Sequence, residues 1–246
     1  MEKKRKSGSL SMYIPVAALL IAILTIFGIS VFLRIAEVEV TGTLMYTQEE
    51  IVSISGILPG DNMVLLDRNI ITQRIMEELP YISDVRISRT WPDMVRIEVT
   101  ESMAIASIPY QRSVLIIDSA GRVLEERDKA PTGLIAIRGI EPEGPVPGIL
   151  LRAESNAQAW VNTLITVLTA IETAGIQDDV PELDITNPIN ITMRYLGRIT
   201  VRLGSVDDIQ NKLNLLPEAI EAIAQNQRGT FDMRDSSPSN WRFQHD

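Results

Sequence analysis

Within 246 residues, 32 Asp and Glu outnumber 23 Lys and Arg, giving a formal charge of −9 at pH 7. Such acidity repels phosphate backbones and argues against nucleic-acid binding. No cysteine is present and only one histidine, so disulfides and thiolate metal sites are excluded and the chain must rely on core packing.

Lys3, Lys4, Arg5 and Lys6 precede a stretch with no charged residue before Arg34, and Tyr13 to Leu33 is almost continuously apolar. At roughly 1.5 Å per residue this run makes a helix of about 30 Å, the thickness of a bilayer's hydrocarbon core. A buried soluble helix carries a polar stripe, whereas only Thr25 and Ser30 interrupt this run. A cleaved signal peptide has a shorter apolar region ending at a small-x-small site, which Phe32-Leu33-Arg34-Ile35 lacks. The reading is a retained anchor: a cytoplasmic tail at 1–12, a transmembrane helix at 13–33, and the rest exported. Pro15 falls in the first turn, where its missing N–H costs little.

After the anchor, Ile35–Val40 alternates at period two and predicts a strand, broken at Thr41-Gly42. Thr47 and Glu50 match a capping box for a short helix carrying Ile51 and Ile54, stopped by Gly56. A second helix is predicted from about Arg68 to Leu79, with Ile71, Ile75 and Leu79 as its stripe and Pro80 as its end. Asp84–Arg89 and Met94–Thr100 alternate again, and the short Thr90–Asp93 connection makes them an antiparallel hairpin. The order is β-α-α-β-β, two helices covering one face of a three-stranded sheet.

Strands are expected next at Ala104–Ile108, Ser113–Ile117, Arg122–Glu126 and Leu134–Ile140, with a turn at Asp118–Gly121 and an exposed loop over Gly139–Gly148. Ser155 and Gln158 cap a helix whose Val161, Leu164, Leu168 and Ile171 share a face, closed by Gly175. Strands at Leu183–Thr186, Asn190–Tyr195 and Arg198–Leu203 follow. Ser205 is expected to cap a last helix bearing Ile209, Leu213, Leu216, Ile220 and Ile223, which Pro217 should kink or split. Lys212 is placed on that helix's surface. A final strand at Thr230–Arg234 precedes a polar, flexible tail at 235–246.

Several stretches resemble the FtsQ/DivIB family of cell-division proteins. Ile35-Ala36-Glu37-Val38-Glu39-Val40-Thr41-Gly42 resembles the opening strand and glycine turn of that family's POTRA module. The runs Gly56–Met63, Leu79–Val85, Arg89–Pro92 and Val95–Val99 resemble its inter-helix loop, closing helix and hairpin. In the second half, Ile117–Val123 resembles an Asp-x-x-Gly-x-Val turn, and Gly197–Gly204, Lys212-Leu213 and Gly229–Arg234 complete the likeness. After Glu101 the chain departs from the family's usual Arg-x-Pro-Val-Ala, reading Ser102-Met103-Ala104 instead. The resemblance implies an α+β protein: one N-terminal transmembrane helix, a POTRA domain at 34–101, then a mainly antiparallel β domain with helices at 102–234.

Catalytic patterns are missing. His245, the sole histidine, is the penultimate residue, there is no glycine-rich phosphate loop, and adjacent acids point about 100° apart on a helix. The chain is read as a non-enzyme without metal, cofactor or small-molecule substrate. By resemblance it is a scaffold at the division septum that recruits bitopic FtsB/DivIC- and FtsL-type partners, with septal peptidoglycan-synthesis proteins as further candidates. In the family a partner segment adds as a strand at the C-terminal edge of the sheet. That edge maps to Thr230, Phe231, Asp232, Met233 and Arg234, with Trp241 in the tail beyond. Phe231 and Met233 have two readings, partner contact or core. Arg86, Arg89 and Arg96 form a second candidate surface, and Trp91 is expected to cap the small core. The competing reading is another signal-anchored binding or sensory protein with a POTRA-like module.

Overall fold

A computed structural model of the chain describes residues 10–154 and 157–245, and within 10–32 it describes the side chains of 13–25 and Gly28 only. Most of the expected cytoplasmic tail, residues 1–9, and the expected cap Ser155 lie outside the described residues. Helix α1 is Leu10–Phe32, 23 residues long, so it begins three residues before the expected span. The side chains of Tyr13–Thr25 are exposed. Among the described residues no helix is long and apolar enough to cross a membrane.

The chain divides into two compact units, α1 belonging to the first. One runs to Ile75 and resumes over Asp84–Glu101; the other takes Met76–Ser83 and continues from Ser102. The first contains β1 (Glu37–Thr41), α2 (Gln48–Ser55), most of α3 (Arg68–Glu78), much of β2 (Ile82–Thr90), and β3 (Met94–Glu101). β3 is central, with β1 parallel to it from Glu37↔Met94 to Thr41↔Glu98 and β2 on its other side. The period-two alternation buries Val95, Ile97 and Val99, and the helices bury Ile51, Ile71 and Ile75. Each such side chain contributes roughly 1.5–3 kcal/mol by leaving water. Thr47 caps α2 as expected, its hydroxyl accepting from the Glu50 N–H at 3.2 Å. Gly42 has φ +88°, and a Cβ there would collide with the Val99 carbonyl oxygen, so only glycine fits this turn. Trp91 does not cap the core: it is 65% exposed.

The second unit carries β4 (Ala106–Tyr110), β5 (Ser113–Ile117), β6 (Val123–Arg127), β7 (Ile135–Arg138), α4 (Gln158–Ala174), β8 (Glu182–Asp184), β9 (Ile191–Tyr195), β10 (Ile199–Gly204), α5 (Ile209–Glu221), β11 (Gly229–Asp232) and β12 (Arg242–His245). They form one nine-stranded sheet in the order β12-β11-β10-β9-β8-β7-β4-β5-β6. Hairpin neighbours pair antiparallel, while β7–β8 and β10–β11 are parallel across the intervening helices α4 and α5, and β4–β7 is parallel across the β5–β6 excursion. The apolar stripe of α4 enters one core with Leu213, Leu216 and Ile220 of α5 and the inward residues of the strands. Gly175 closes α4 in the left-handed conformation, φ 68°, its N–H bonded to the Glu172 carbonyl at 2.9 Å.

Helix α5 departs from expectation at both its start and its middle. Ser205 does not cap it; its hydroxyl donates to Asp207 at 2.6 Å, and Asp208 occupies the cap position with φ 55°. Nor does Pro217 split it. Proline costs a helix roughly 3 kcal/mol, and the buried Leu216 and Ile220 on either side supply about as much again or more.

Candidate docking edge

At the C-terminal end of the large sheet, β10 and β11 run parallel, from Ile199↔Gly229 to Arg202↔Asp232. The ladder continues one residue further, the Met233 N–H donating to the Arg202 carbonyl at 2.9 Å. Alternation then decides where the expected contact residues point. Phe231 and Met233 face the core and are 6% and 0% exposed. Thr230 and Asp232 lie half-buried on the other face, and Arg234 is exposed beyond the strand.

Two expectations are corrected here. β11 is not the edge of the sheet, and residues 235–245 fold back on it rather than forming a flexible tail. After the turn at Pro238–Asn240 the chain folds back, and β12 pairs antiparallel with β11, Thr230 opposite Gln244 and Phe231 opposite Phe243. The return is held by packing and by hydrogen bonds. Trp241 meets Phe231 edge-on, ring centres 6.1 Å apart at 77°, and its indole N–H donates to the Asp235 carbonyl at 2.9 Å. Phe243 is half-buried against the same core. Gly229 lets the strands approach, since a Cβ there would collide with the Gln244 carbonyl oxygen. These contacts offset the entropy of ordering the segment.

The corner behind this edge is fixed by charge. Lys212 lies not on the helix surface but 1% exposed, its Nζ donating to the carbonyls of Leu203 at 2.9 Å and Arg234 at 3.2 Å. Burial pulls its pKa down, against the pull of Asp208, Asp207, Asp235 and Asp232. Arg234 in turn clamps Asp232, its Nε 2.9 Å from Oδ1 and a terminal nitrogen 2.6 Å from Oδ2. Hydrogen bonding from Arg234 holds the Asp232 carboxyl below its ordinary value. Asp235 is also held low, by the Ser237 N–H and the Asn240 amide.

Of the expected residues, then, Thr230 to Arg234 and Trp241 do come together, but as the support of an edge whose outermost strand is Arg242–His245. Sequence reading missed β12 and placed Lys212 on the surface instead of in the core. The signal for β12 was two aromatics at alternate positions, Trp241 and Phe243, in an otherwise polar stretch. The arrangement offers backbone pairing at a strand with one neighbour. Among the described residues no group of three or more His, Asp or Glu is placed to hold a metal. On the first unit, Arg96 pairs with Glu39 at 2.8 Å, Arg86 is exposed near Asp84, and Arg89 reaches the Val64 carbonyl at 3.2 Å, so these three do not form one cluster of free cations.

Comparison with known proteins bears on both units. The family model "POTRA domain, FtsQ-type" matches residues 33–102, and "Cell division protein FtsQ/DivIB, C-terminal" matches 108–234, more than half of the chain. The chain is similar to cell division protein FtsQ of Syntrophotalea carbinolica, 27% identical over 84% of this chain and 71% of that protein. It is similar to FtsQ of Streptomyces griseus, 25% identical over 83% of this chain and 94% of the relative. DivIB of Clostridium tetani is 28% identical over 74% of this chain and 68% of its own length.

Proposed function

This chain belongs to the FtsQ/DivIB family of cell-division proteins, and from that premise we propose that it is a non-catalytic, bitopic scaffold of the division machinery. It recruits and links FtsB/DivIC- and FtsL-type membrane proteins, and through them septal peptidoglycan-synthesis proteins, on the far side of the cell membrane. The anchor is α1: the uncharged run Tyr13–Leu33 behind Lys3–Lys6 supports one span with the N-terminus cytoplasmic. The domains follow it as tail 1–12, span 13–33, POTRA domain 34–101 and β domain 102–234.

One observation carries the docking mode: the sheet ends in a short strand, β12, with a strand neighbour on one side only. A partner segment joining there gains backbone hydrogen bonds, and its alternate side chains give specificity. Thr230, Phe231, Asp232, Met233, Arg234 and Trp241 act by holding β12 in place. Phe231→Glu would test folding rather than docking, because it puts a charge in the core. The absence of cysteine allows a cleaner test. Arg242→Cys and Gln244→Cys, in the full-length protein, are expected to cross-link to the FtsB/DivIC-type partner. Glu126→Cys, on the opposite edge strand β6, is the control. Cross-linking from Glu126→Cys alone, or from none of the three, overturns the proposal.

A further inference from the structure

We propose that the end of the first unit nearest α1 rests in the interfacial layer of the bilayer; this deepens, and depends on, the anchor reading of α1. Two loops are hydrogen-bonded to the few residues that follow the helix. In the first loop, the Met63 N–H donates to the Leu33 carbonyl at 2.8 Å, the Ile35 N–H to Asp61 at 2.9 Å, and the Gly60 N–H to Ile35 at 2.8 Å. In the hairpin turn between β2 and β3, the Asp93 carbonyl accepts from the Ala36 N–H at 2.8 Å. Both loops are therefore tied within a few residues of Phe32, where the helix ends.

These loops carry large apolar side chains that stand largely exposed. Leu58 is 64% exposed, Leu65 80%, Trp91 65% and Val64 48%. Their backbones are held by local bonds, with Leu58 N–H on Asp61 and Val64 N–H on Asn62, both at 2.9 Å. Leu65 stands two residues from Met63 and Trp91 two residues from Asp93, each at most about 7 Å of chain away. That reach lies within the roughly 5–10 Å headgroup and acyl boundary where apolar side chains insert and tryptophan concentrates. Formal charges nearly cancel here: Arg34, Arg68 and Arg89 stand among Glu37, Asp61, Asp67 and Asp93. Apolar insertion, not attraction to anionic lipid, is thus the driving force.

Leu44 and Met45 supply the contrast. They are also exposed, but lie beyond the far end of the five-residue β1, about 17 Å along the strand. Glu101 holds them there, its Oε1 accepting both backbone N–H groups at 2.9 Å.

Single cysteines at Leu19, Met45, Leu65 and Trp91 in the full-length protein, labelled with an environment-sensitive fluorophore, test this in phosphatidylcholine vesicles. With a lipid bearing a nitroxide high on its acyl chain, labels at Leu19→Cys, Leu65→Cys and Trp91→Cys should lose roughly half or more of their emission, and Met45→Cys little. If Leu19→Cys is quenched while Leu65→Cys and Trp91→Cys behave like Met45→Cys, the inference falls and the anchor stands. If Leu19→Cys is not quenched, both fall. Quenching that appears only when phosphatidylglycerol is added overturns apolar insertion as the cause.

Discussion

A buried ammonium costs stability unless acceptors surround it, and Lys212 meets two carbonyls, of Leu203 and Arg234. Lys212→Ala removes the donor from both oxygens and leaves the buried Leu203 carbonyl without it, so a loss of about 2–4 kcal/mol in urea unfolding is expected. Lys212→Met keeps the volume and should lose less. Because the Lys212 pKa is lowered from 10.5 by burial, the native state releases this proton more readily than the unfolded one. Its contribution to stability is therefore recovered as pH rises through the lowered value, and Lys212→Met should flatten that alkaline slope. Asp232 works in the acid range. Arg234 keeps its pKa below 3.8, so the stability it adds is present above 3.8 and lost as pH falls through the lower native value. In acid titration of stability, the gap between the natural chain and Asp232→Asn should close over that range; a gap that persists there would assign the effect to shape. Neither role is visible in sequence. The acceptors of Lys212 lie nine residues before it and 22 after it, and no periodicity links such positions.

Elements that bury a face were legible, and those that bury none were not. The stripe of α4, the Gly175 stop and the alternation of β3 all follow from apolar side chains recurring at the element's own period. β12 has one half-buried position in four, so it carries almost no such signal. The parallel neighbours β4–β7 and β10–β11 are likewise set by distant packing, whereas the β2–β3 hairpin is written in its own turn. The edge nevertheless depends on particular contacts. Trp241→Ala should cost about 1–2 kcal/mol, an edge-on aromatic pair plus some buried area, read by chemical unfolding. Gly229→Ala drives a methyl into the Gln244 carbonyl. Amide exchange at Thr230 and Gln244 should then accelerate while the middle of α4 stays protected; unchanged exchange would mean that β12 shifts without loosening.

At the scale of the whole molecule, stability and the proposed recruitment separate. Each unit has its own buried residues, Ile35 to Ile75 and Val85 to Val99 in one, and Leu79, Ile82 and Ile105 to Met233 in the other. The described side chains of Tyr13–Thr25 are exposed and add nothing to either core. Removing residues 1–33 is therefore expected to leave the thermal midpoint of the remainder within about 2–4 °C, the shift that roughly 1 kcal/mol produces. Under the proposed function recruitment should respond differently, because the proposed anchor would confine this chain and its proposed bitopic partners to one plane. Effective concentrations between tethered modules reach the millimolar range, and losing the tether costs on the order of 10²-fold or more in apparent affinity. In cells expressing equal amounts, the chain lacking 1–33 should co-purify far less partner and fail to support septation. Restoring membrane attachment with an unrelated apolar helix after Lys3–Lys6 decides what α1 itself does. Full recovery of capture makes α1 a tether alone; partial recovery would assign it side-by-side contacts with the partners' own spans.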